Sequence, residues 1–267
     1  MEEQDMPLRT IQDLEAIEHV PGASRLTVHS TYELIRDAAI NDPERMAIAL
    51  LAGRKRSDRP VRLSYGSLLN NLHQTANLLA DLGVESGDVI ALLLPNLLET
   101  HLLLWGGQAA GIVCPLNPWL PVEQIIALLR AARAKVLVAP GSEVSQALWQ
   151  KAEAVRRQVK SLTHMLQVRG PGKEGGAVYA FNALLSDYPS DRLSSGREIA
   201  PDDIAVSLPS SNLTRTPVLM PLTHGNLLSV ARAISLVTML APEEVLLGGL
   251  SRFMAHPLAE DPLMWPC

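Results

Sequence analysis

The sequence predicts an α/β protein with a doubly wound, largely parallel β-sheet whose strands are joined by crossover helices. Short and almost wholly apolar segments, such as residues 88–94, alternate with longer segments such as residues 64–83, in which leucines recur every three or four positions. Repeated alternation of strand and helix is typical of parallel strands with crossover connections. With 267 residues, of which 47% are hydrophobic, the chain can bury a full core.

Helices are predicted where a capping residue precedes an apolar repeat of helical period. Ser30 or Thr31 caps an early helix, and Ser64 caps a longer one that ends at Gly83. Pro121 suits a first helical position, and Thr223 is a good cap for the last helix. The predicted helices are residues 11–18, 32–40, 64–83, 97–110, 122–133, 144–159, 182–188 and 225–240.

Strands are predicted at short apolar runs that end at glycine, proline or a polar cluster. The polar connector at residues 189–201 divides the chain into an N-terminal α/β subdomain, residues 1–200, and the start of a second α/β subdomain, residues 201–267. The predicted strands are residues 46–51, 88–94, 112–114, 135–139, 164–168, 204–208, 218–220 and 245–250.

Composition argues against several classes of function. The net charge of −5 and the aromatic content of 4% do not fit a nucleic-acid surface, which needs a concentrated basic face. Cys114 and Cys267 lie far apart and near no His/Cys cluster, so we expect no metal site and a reducing, cytoplasmic location. The acidic N-terminus does not resemble a signal peptide, and no apolar run reaches the ~18 residues of a membrane span.

A Ser/Thr-rich loop between two predicted strands is the best candidate for an anion site. Phosphate-binding loops use glycine, so that backbone N–H groups can approach the phosphate, and usually a lysine or arginine. No glycine lies between Pro209 and Pro221, and Arg215 is the single cation there, so an ordinary polar connection remains the alternative. The candidate loop residues are Ser210, Ser211, Asn212, Thr214 and Thr216.

Thr223 and His224, which follow this loop, have two interpretations: they contact a nucleotide, or they are a helix cap and a packed histidine. Two other features favour structural roles. The triplet Gly170, Gly172 and Gly175 spells G-x-G-x-x-G but precedes no helix, which favours a flexible loop over a dinucleotide site. We predict His73 and His101 to be surface or boundary residues, and Trp105 and Trp119 to be packing residues.

Four passages resemble the N-terminal part of acyl-CoA synthetases, in the adenylate-forming superfamily that includes luciferases and the adenylation domains of peptide synthetases. The similarity runs from about residue 31 to about residue 250. The passages are LSYGSLLNNLHQTANLLADLGVESGDVIALLLPN, GGQAAGIVCPLNP, AKVLVAP, and PDDIAVSLP followed by PLTHGNL. The resemblance implies an incomplete N-terminal large domain of an adenylate-forming enzyme. Such enzymes use ATP and Mg²⁺ to form an acyl-adenylate and then transfer the acyl group to CoA; a fatty acid is the favoured substrate class.

The candidate loop departs from the family pattern T-G-G-T-T-G-x-P-K. Counting back from Thr223 places residues 210–215 on T-G-G-T-T-G and Val218 on the lysine, so all three glycines and the lysine are missing. Met254 replaces a family histidine, and the family's later motifs and small C-terminal domain lie beyond Cys267. We therefore expect no catalytic residue and no metal ligand in this chain, and no productive binding of ATP, Mg²⁺ or CoA.

Two hypotheses about function follow. In the first, the chain is a catalytically inactive remnant of an acyl-CoA synthetase of fatty acid metabolism, or the product of a broken gene. In the second, it is a non-catalytic module that binds a protein partner or an acyl ligand. A third arrangement, in which a separate chain supplies the remaining domains, is disfavoured by the substituted loop.

Overall fold

The structure is a computed structural model that describes residues 10–12, 15, 19, 26–51, 59–173, 177–210, 218–239, 241 and 244–246. The helices are α1 (Thr31–Asn41), α2 (Tyr65–Asp81), α3 (Leu98–Ala110), α4 (Val122–Ala132), α5 (Ser142–Gln158), α6 (Phe181–Leu184) and α7 (His224–Thr238). The strands are β1 (Met46–Leu50), β2 (Val61–Ser64), β3 (Val89–Leu92), β4 (Ile112–Pro115), β5 (Val136–Pro140), β6 (His164–Val168), β7 (Val178–Ala180), β8 (Ile204–Pro209) and β9 (Leu219–Thr223).

Seven strands form one sheet in the order β7-β6-β5-β3-β4-β8-β9. Every neighbouring pair from β7 to β8 is parallel, and β9 runs antiparallel to β8. Strands β1 and β2 form a separate antiparallel pair. The prediction of a largely parallel sheet with crossover helices is confirmed.

Both faces of the sheet are covered, because alternate residues of each strand point to opposite sides. Along β3, Ile90 and Leu92 pack in the cluster that contains α1, α2, α3 and α7, whereas Val89 and Ala91 pack in the cluster that contains α4 and α5. All four side chains are buried. Helices on both faces make the fold doubly wound, as predicted.

Helix starts follow the predicted capping residues. The Ser30 hydroxyl accepts a hydrogen bond from the Glu33 backbone N–H at 3.1 Å, and the Ser64 hydroxyl accepts one from the Ser67 N–H at 3.3 Å. These bonds satisfy N–H groups that have no partner inside the helix. Beyond α2, Gly83 has φ of +75°, which suits glycine at a helix C-terminus.

Several expectations about elements were wrong. Strands β2 and β7 were not predicted, and β9 continues to Thr223 through Pro221, which an edge strand tolerates. Val237, expected on the buried face of the last helix, is 82% exposed. Residues 245 and 246 are not in a strand, and the remainder of the predicted strand at 245–250 lies outside the described residues, as does most of the predicted helix at 11–18.

His73 and His101 are buried, not at the surface, because α2 and α3 pack closely against each other and the sheet. His73 Nδ1 donates to the Ser190 carbonyl at 2.8 Å, and its Nε2 accepts from the Tyr32 hydroxyl at 3.0 Å. Trp105 is a core residue, as expected, whereas Trp119 is 75% exposed.

The polar connector at residues 189–201 packs along α2. The Asn77 amide donates to the carbonyls of Pro189 and Arg192, each at 2.9 Å, and its oxygen accepts from the Ser194 N–H at 2.8 Å. The strand that follows, β8, pairs with β4 in the same sheet. The division of the chain at residue 200 stays a prediction.

Within the described ranges, no helix combines the length and the apolar character needed to cross a membrane. The same part of the chain contains no cluster of three or more His, Cys, Asp or Glu side chains suited to a metal ion. Burial raises the pKa of the Cys114 thiol to about 12, so this thiol stays protonated.

Candidate functional site

The predicted phosphate loop connects β8 and β9. At its base the Ser210 N–H donates to the Val218 carbonyl at 2.7 Å, so this N–H group is already used within the hairpin. The Ser210 hydroxyl oxygen is buried and has no hydrogen-bond partner among the described residues. Val218, which aligns with the family lysine, is 47% exposed and brings no positive charge. The other candidate loop residues, Ser211, Asn212, Thr214 and Thr216, lie outside the described residues.

The hairpin separates the two halves of the predicted site. Pro209 pairs with Leu219 at the carboxyl edge of the sheet, and Ile204 pairs with Thr223 at the amino edge. At about 3.3 Å per residue, the length of β8 places these edges roughly 17 Å apart. Ser210 and the pair Thr223–His224 therefore cannot hold the same phosphate group.

Thr223 is the cap of α7. Its hydroxyl accepts from the Asn226 N–H at 3.1 Å, and the Asn226 side-chain oxygen accepts from the Thr223 N–H at 3.0 Å. This reciprocal arrangement satisfies two backbone donors at the start of the helix. The interpretation of Thr223 as a helix cap is confirmed.

His224 is a packed histidine that ties α7 to α1 and α3. Its side chain is fully buried, and Nδ1 accepts from the Thr31 N–H at 3.2 Å. The Thr31 hydroxyl lies 3.0 Å from Nδ1 and donates to the Gln108 side-chain oxygen at 2.8 Å. Because Nδ1 accepts, the ring proton lies on Nε2, which has no partner in the described part of the chain.

Burial and, to a smaller extent, the positive charge of Arg197 lower the pKa of His224 to about 4, against the opposing effect of Asp203. The imidazole is therefore neutral at physiological pH. These contacts agree with the interpretation of His224 as a packed histidine, and a nucleotide contact of Thr223 and His224 stays a prediction.

A cavity of about 560 Å³ opens at the carboxyl ends of β3 and β4. Helix α3, which follows β3, packs on one face of the sheet, and α4, which follows β4, packs on the other. Adjacent strands whose connections leave to opposite faces create the crevice in which doubly wound proteins usually bind ligands. The volume is within the range typical of small-molecule sites, about 300–1,000 Å³.

The cavity lies beside the start of the predicted loop. Val113 of β4 is in register with Val206 of β8, so Pro115 is level with Leu208, close to Ser210. Both features therefore occupy the carboxyl edge of the sheet. This placement joins the cavity and the loop base into one candidate site.

The walls of the cavity are mainly apolar and carry a single cation. Lys151 Nζ donates to the carbonyls of Pro118 at 2.7 Å and Leu120 at 2.8 Å. These bonds hold the segment after β4 against α5. Residues of the wall that sequence reasoning missed are Leu92, Leu94, Leu116, Trp119, Leu148 and Lys151.

The buried carboxylate of Glu99 joins the start of α3 to the end of β6. Arg169 makes two hydrogen bonds to Glu99, at 2.7 and 2.9 Å, and Asn182 donates to Glu99 at 3.0 Å. Burial raises the pKa of Glu99, but the hydrogen bonds from Arg169 and Asn182 and the charge of Arg169 outweigh it and hold the pKa below its usual value. This group is structural, since its hydrogen bonds join three elements.

The glycine triplet lies in the turn after β6. The Gly172 N–H donates to the Gln167 side-chain oxygen at 2.9 Å, and Gly172 has φ of +71°. A Cβ at Gly170 would lie 2.4 Å from the Gln167 Cδ. Strand β7 follows this turn, which excludes the strand-to-helix context of a dinucleotide site. Gly175 lies outside the described residues.

A second cleft, of about 450 Å³, lies at the amino edge of the sheet, where β6 begins at His164. The Tyr188 hydroxyl there donates to Asp81 at 2.9 Å. Burial and this carboxylate raise the pKa of Tyr188 to about 12. Parallel sheets place ligands at the carboxyl edge, so this cleft does not compete with the candidate site.

Comparison with known proteins identifies the family. The family model for AMP-binding enzymes matches residues 35–259. The marinolic acid–CoA ligase of Pseudoalteromonas sp. is 27% identical over 217 residues, which cover 81% of this chain and 33% of that protein. The crotonobetaine/carnitine–CoA ligase of Salmonella arizonae is 32% identical over 166 residues, which cover 61% of this chain and 31% of that protein.

Solved structures show the same fold. The N-terminal domain of FACL13 from Mycobacterium tuberculosis superimposes with a TM-score of 0.75 at 20% identity, covering 88% of this chain and 55% of that chain. A long-chain-fatty-acid–CoA ligase from Archaeoglobus fulgidus gives a TM-score of 0.73 at 20% identity, covering 88% of this chain and 44% of that chain.

The chain spans about a third of the length of these curated relatives. The family match covers most of the sequence, and the fold of the described residues agrees with it. The chain therefore belongs to the family of AMP-binding enzymes that includes CoA ligases.

Proposed function

We propose that this chain is the N-terminal part of an acid–CoA ligase-like protein that has lost adenylation activity of its own. The observation that carries this proposal is that the base of the β8–β9 hairpin offers neither a free backbone N–H group at Ser210 nor a positive charge at Val218. The Ser210 N–H is bonded to Val218, and an apolar side chain stands at the lysine position of the resemblance. The loop sequence adds no glycine that would let backbone N–H groups approach a phosphate.

The expected loss of catalysis is large. A hydrogen bond to a charged group contributes about 1.5–3 kcal/mol, and a preorganised donor to developing charge about 2.7–4 kcal/mol. The missing lysine contact and two missing backbone donors then remove on the order of 6–10 kcal/mol of transition-state stabilisation. Since about 1.4 kcal/mol corresponds to a factor of ten in rate, several powers of ten are lost.

ATP, Mg²⁺ and CoA are the cofactors of the family reaction, and the described residues fit them poorly. At the loop base the buried Ser210 hydroxyl has no hydrogen-bond partner among the described residues, and the same part of the chain contains no group of three or more His, Cys, Asp or Glu side chains that could hold a metal ion. The activity of the family, with a carboxylic and by preference fatty acid, is therefore assigned to the ancestor of this chain. A cytoplasmic location belongs to the same proposal.

ATP–pyrophosphate exchange tests this proposal. We expect the purified 267-residue chain to show no exchange above background with octanoate, palmitate or benzoate, alongside an active acid–CoA ligase as the positive control. Calorimetry with Mg²⁺–ATP is expected to show no binding at micromolar concentrations. Exchange that depends on added acid, or tight nucleotide binding, would show that the loop still works.

A second proposal is that the chain is a non-catalytic module that binds a protein partner or an acyl ligand. Exposed apolar residues on β9, on α7 and directly after α7 favour this role: Met220 is 42% exposed, Val237 82% and Met239 86%. The apolar cavity beside the loop base favours it as well. Light scattering after gel filtration discriminates the two proposals, since a stable, monodisperse protein supports a module and an insoluble chain supports an inactive remnant.

A further inference from the structure

We infer that the cleft at the amino edge of the sheet binds a small primary amine in its charged, ammonium form. The cleft has a volume of about 450 Å³ and lies at the start of β6, at the opposite edge from the cavity beside the loop base. Its walls come from α2, β6, β7, α6 and Tyr188, so separate elements hold its shape. The inference uses no residue of the predicted phosphate loop and does not depend on either proposed function.

Asp81 gives the cleft a negative charge. Among the described residues it forms no ion pair, and its side chain accepts one hydrogen bond, at Oδ2 from the Tyr188 hydroxyl at 2.9 Å. This leaves Oδ1 as a free acceptor. Asp81 is also the last residue of α2, and the partial negative charge of a helix C-terminus disfavours a carboxylate and favours a cation. An ammonium ion at this position is attracted by both.

The other charged groups around the cleft leave this negative charge in place. Lys135 lies beside the cleft, but its Nζ forms an ion pair with the Asp88 carboxylate at 2.6 Å, which neutralises it. Asp187, next to Tyr188, adds a second negative charge. Burial is the main reason that the pKa of Tyr188 is raised to about 12, and the charges of Asp81 and Asp187 raise it as well. The cleft therefore attracts cations and repels anions.

His164 offers a second acceptor in the wall of the cleft. The Thr163 hydroxyl donates to the Lys135 carbonyl at 3.3 Å, so its oxygen accepts from His164 Nδ1 at 2.8 Å. This places the ring proton on Nδ1 and leaves Nε2, which has no partner in the described part of the chain, as an acceptor. Burial and the charge of Lys135 lower the pKa of His164, so the ring is neutral at physiological pH.

Apolar and aromatic side chains complete the walls. Leu78, Leu82 and Leu184 line the cleft together with the rings of Tyr179 and Tyr188. The face of a tyrosine ring attracts a cation that lies within about 6 Å of its centre. These walls suit an amine that carries a short apolar body.

Two other kinds of cation fit the cleft less well. The described residues contain no group of three or more His, Cys, Asp or Glu side chains that could hold a metal ion. A quaternary ammonium ion has no N–H group to donate to Asp81 Oδ1 or His164 Nε2, whereas a primary ammonium ion has three. A primary amine is therefore the ligand class that uses both acceptors.

Three probes of similar shape test the inference on the full 267-residue chain at neutral pH. They are 2-phenylethylamine, which is protonated, 2-phenylethanol, which is neutral, and the N,N,N-trimethyl derivative of the amine, which is charged but has no N–H group. We expect the amine to bind about tenfold more tightly than the alcohol and about threefold more tightly than the trimethyl derivative, as measured by NMR titration. The shift changes should concentrate at Gly83, His164 and Tyr188.

Two variants and a control locate the site. Asp81→Asn removes the charge and keeps an oxygen for the Tyr188 hydroxyl, so we expect it to weaken amine binding about tenfold and to leave alcohol binding unchanged. Asp202→Asn is the matched control, since Asp202 is exposed before β8, which β5, β3 and β4 separate from β6. Leu184→Trp fills the cleft and should abolish binding of the amine and of the alcohol. Thermal melts establish that each variant is folded.

Equal affinity for the amine and the alcohol would overturn the inference, and so would unchanged amine binding by Asp81→Asn. Binding of the trimethyl derivative as tight as that of the amine, shift changes at the carboxyl edge instead of the cleft, or no amine binding at millimolar concentration would also overturn it. The Asp81→Asn titration and the shift map decide the matter even if Leu184→Trp does not fold. None of these outcomes depends on pyrophosphate exchange.

Discussion

His224 shows how one side chain stabilises the junction of three helices. Its Nδ1 accepts a hydrogen bond from the Thr31 N–H, and the Thr31 hydroxyl donates one to the Gln108 side-chain oxygen. The ring is fully buried, so protonation would place a charge where solvent cannot reach it. Arg197 opposes protonation as well, and Asp203 compensates only in part.

This burial predicts a pH-dependent stability. The unfolded chain protonates His224 near pH 6.5, and the folded chain only near pH 4, so the unfolded state binds more protons between these values. The stabilisation is complete above pH 6.5 and is lost as the pH falls towards 4. Between pH 7 and pH 5 we expect the wild type to lose about 2 kcal/mol more unfolding free energy than His224→Gln, as measured by urea denaturation. Equal losses in both proteins would contradict this.

At the residue scale, the sequence predicts capping residues well and buried polar residues poorly. Ser30, Ser64 and Thr223 all cap the helices they precede, because capping depends on neighbours in the sequence. His73 and His101 were expected near the surface because of their residue type. Their burial depends on how α2 and α3 pack, which is a tertiary effect that no local pattern records.

Helices α2 and α3 pack closely because glycine lies at their contact. A Cβ at Gly106 would lie 2.6 Å from the Thr75 Cβ and 3.0 Å from the Leu72 carbonyl oxygen. Both neighbours belong to α2, so a larger residue would have to move a whole helix. Thr75 is itself fully buried, which leaves no room for the displacement.

Gly106→Ala is therefore expected to lower the unfolding free energy by about 2 kcal/mol, the usual cost of overpacking a core, despite the higher helix propensity of alanine. Gly87→Ala is the matched control, because a Cβ at Gly87 meets nothing within 4 Å. We expect it to change stability by less than about 0.5 kcal/mol. Similar urea midpoints for the two variants would show that the contact of α3 with α2 at Gly106 leaves room for a Cβ.

At the element scale, prediction succeeds where periodicity is strong. Helices α2 and α3 and strands β3 and β6 agree with the predicted segments to within a few residues, because long apolar repeats and fully apolar runs leave little ambiguity. Strands β2 and β7 were missed, and β9 was predicted too short. All three are peripheral strands, and Pro221 gives the sequence of β9 the character of a turn.

At the scale of the whole molecule, the edge strand β9 of the large sheet carries exposed apolar side chains. In the described part of the chain, β7 and β9 are the terminal strands, and β9 exposes Met220 beside its edge. Val218, just before β9, is also exposed. Unpaired N–H and C=O groups next to apolar side chains favour pairing with another chain.

We therefore expect the isolated chain to self-associate through β9. Met220→Lys should weaken this association about tenfold, which corresponds to about 1.4 kcal/mol, because a charge on an edge strand opposes pairing. Ile40→Lys is the control, since Ile40 is exposed on α1 and far from the edge in sequence. Sedimentation velocity over a range of concentrations measures both. Equal association of the two variants would exclude β9 as the interface.

At the scale of the molecule, the sequence predicts the class of the sheet but not its strand order. The cavity at β3 and β4 depends on that order, because it forms where α3 and α4 leave to opposite faces. Lys151 and Trp119 approach it from segments that are distant in sequence. Neither residue belongs to a local motif, so sequence reasoning alone could not identify them.

The bond between the Ser210 N–H and the Val218 carbonyl closes the stem of the hairpin. Below it, the pairing of β8 with β9 fixes the path of the chain to Thr223, and His224 anchors the helix that follows. None of these contacts uses a side chain of the sequence between Ser210 and Val218. Substitutions in that sequence can therefore change the pattern of the loop while the bonds of the stem and of the following helix stay in place.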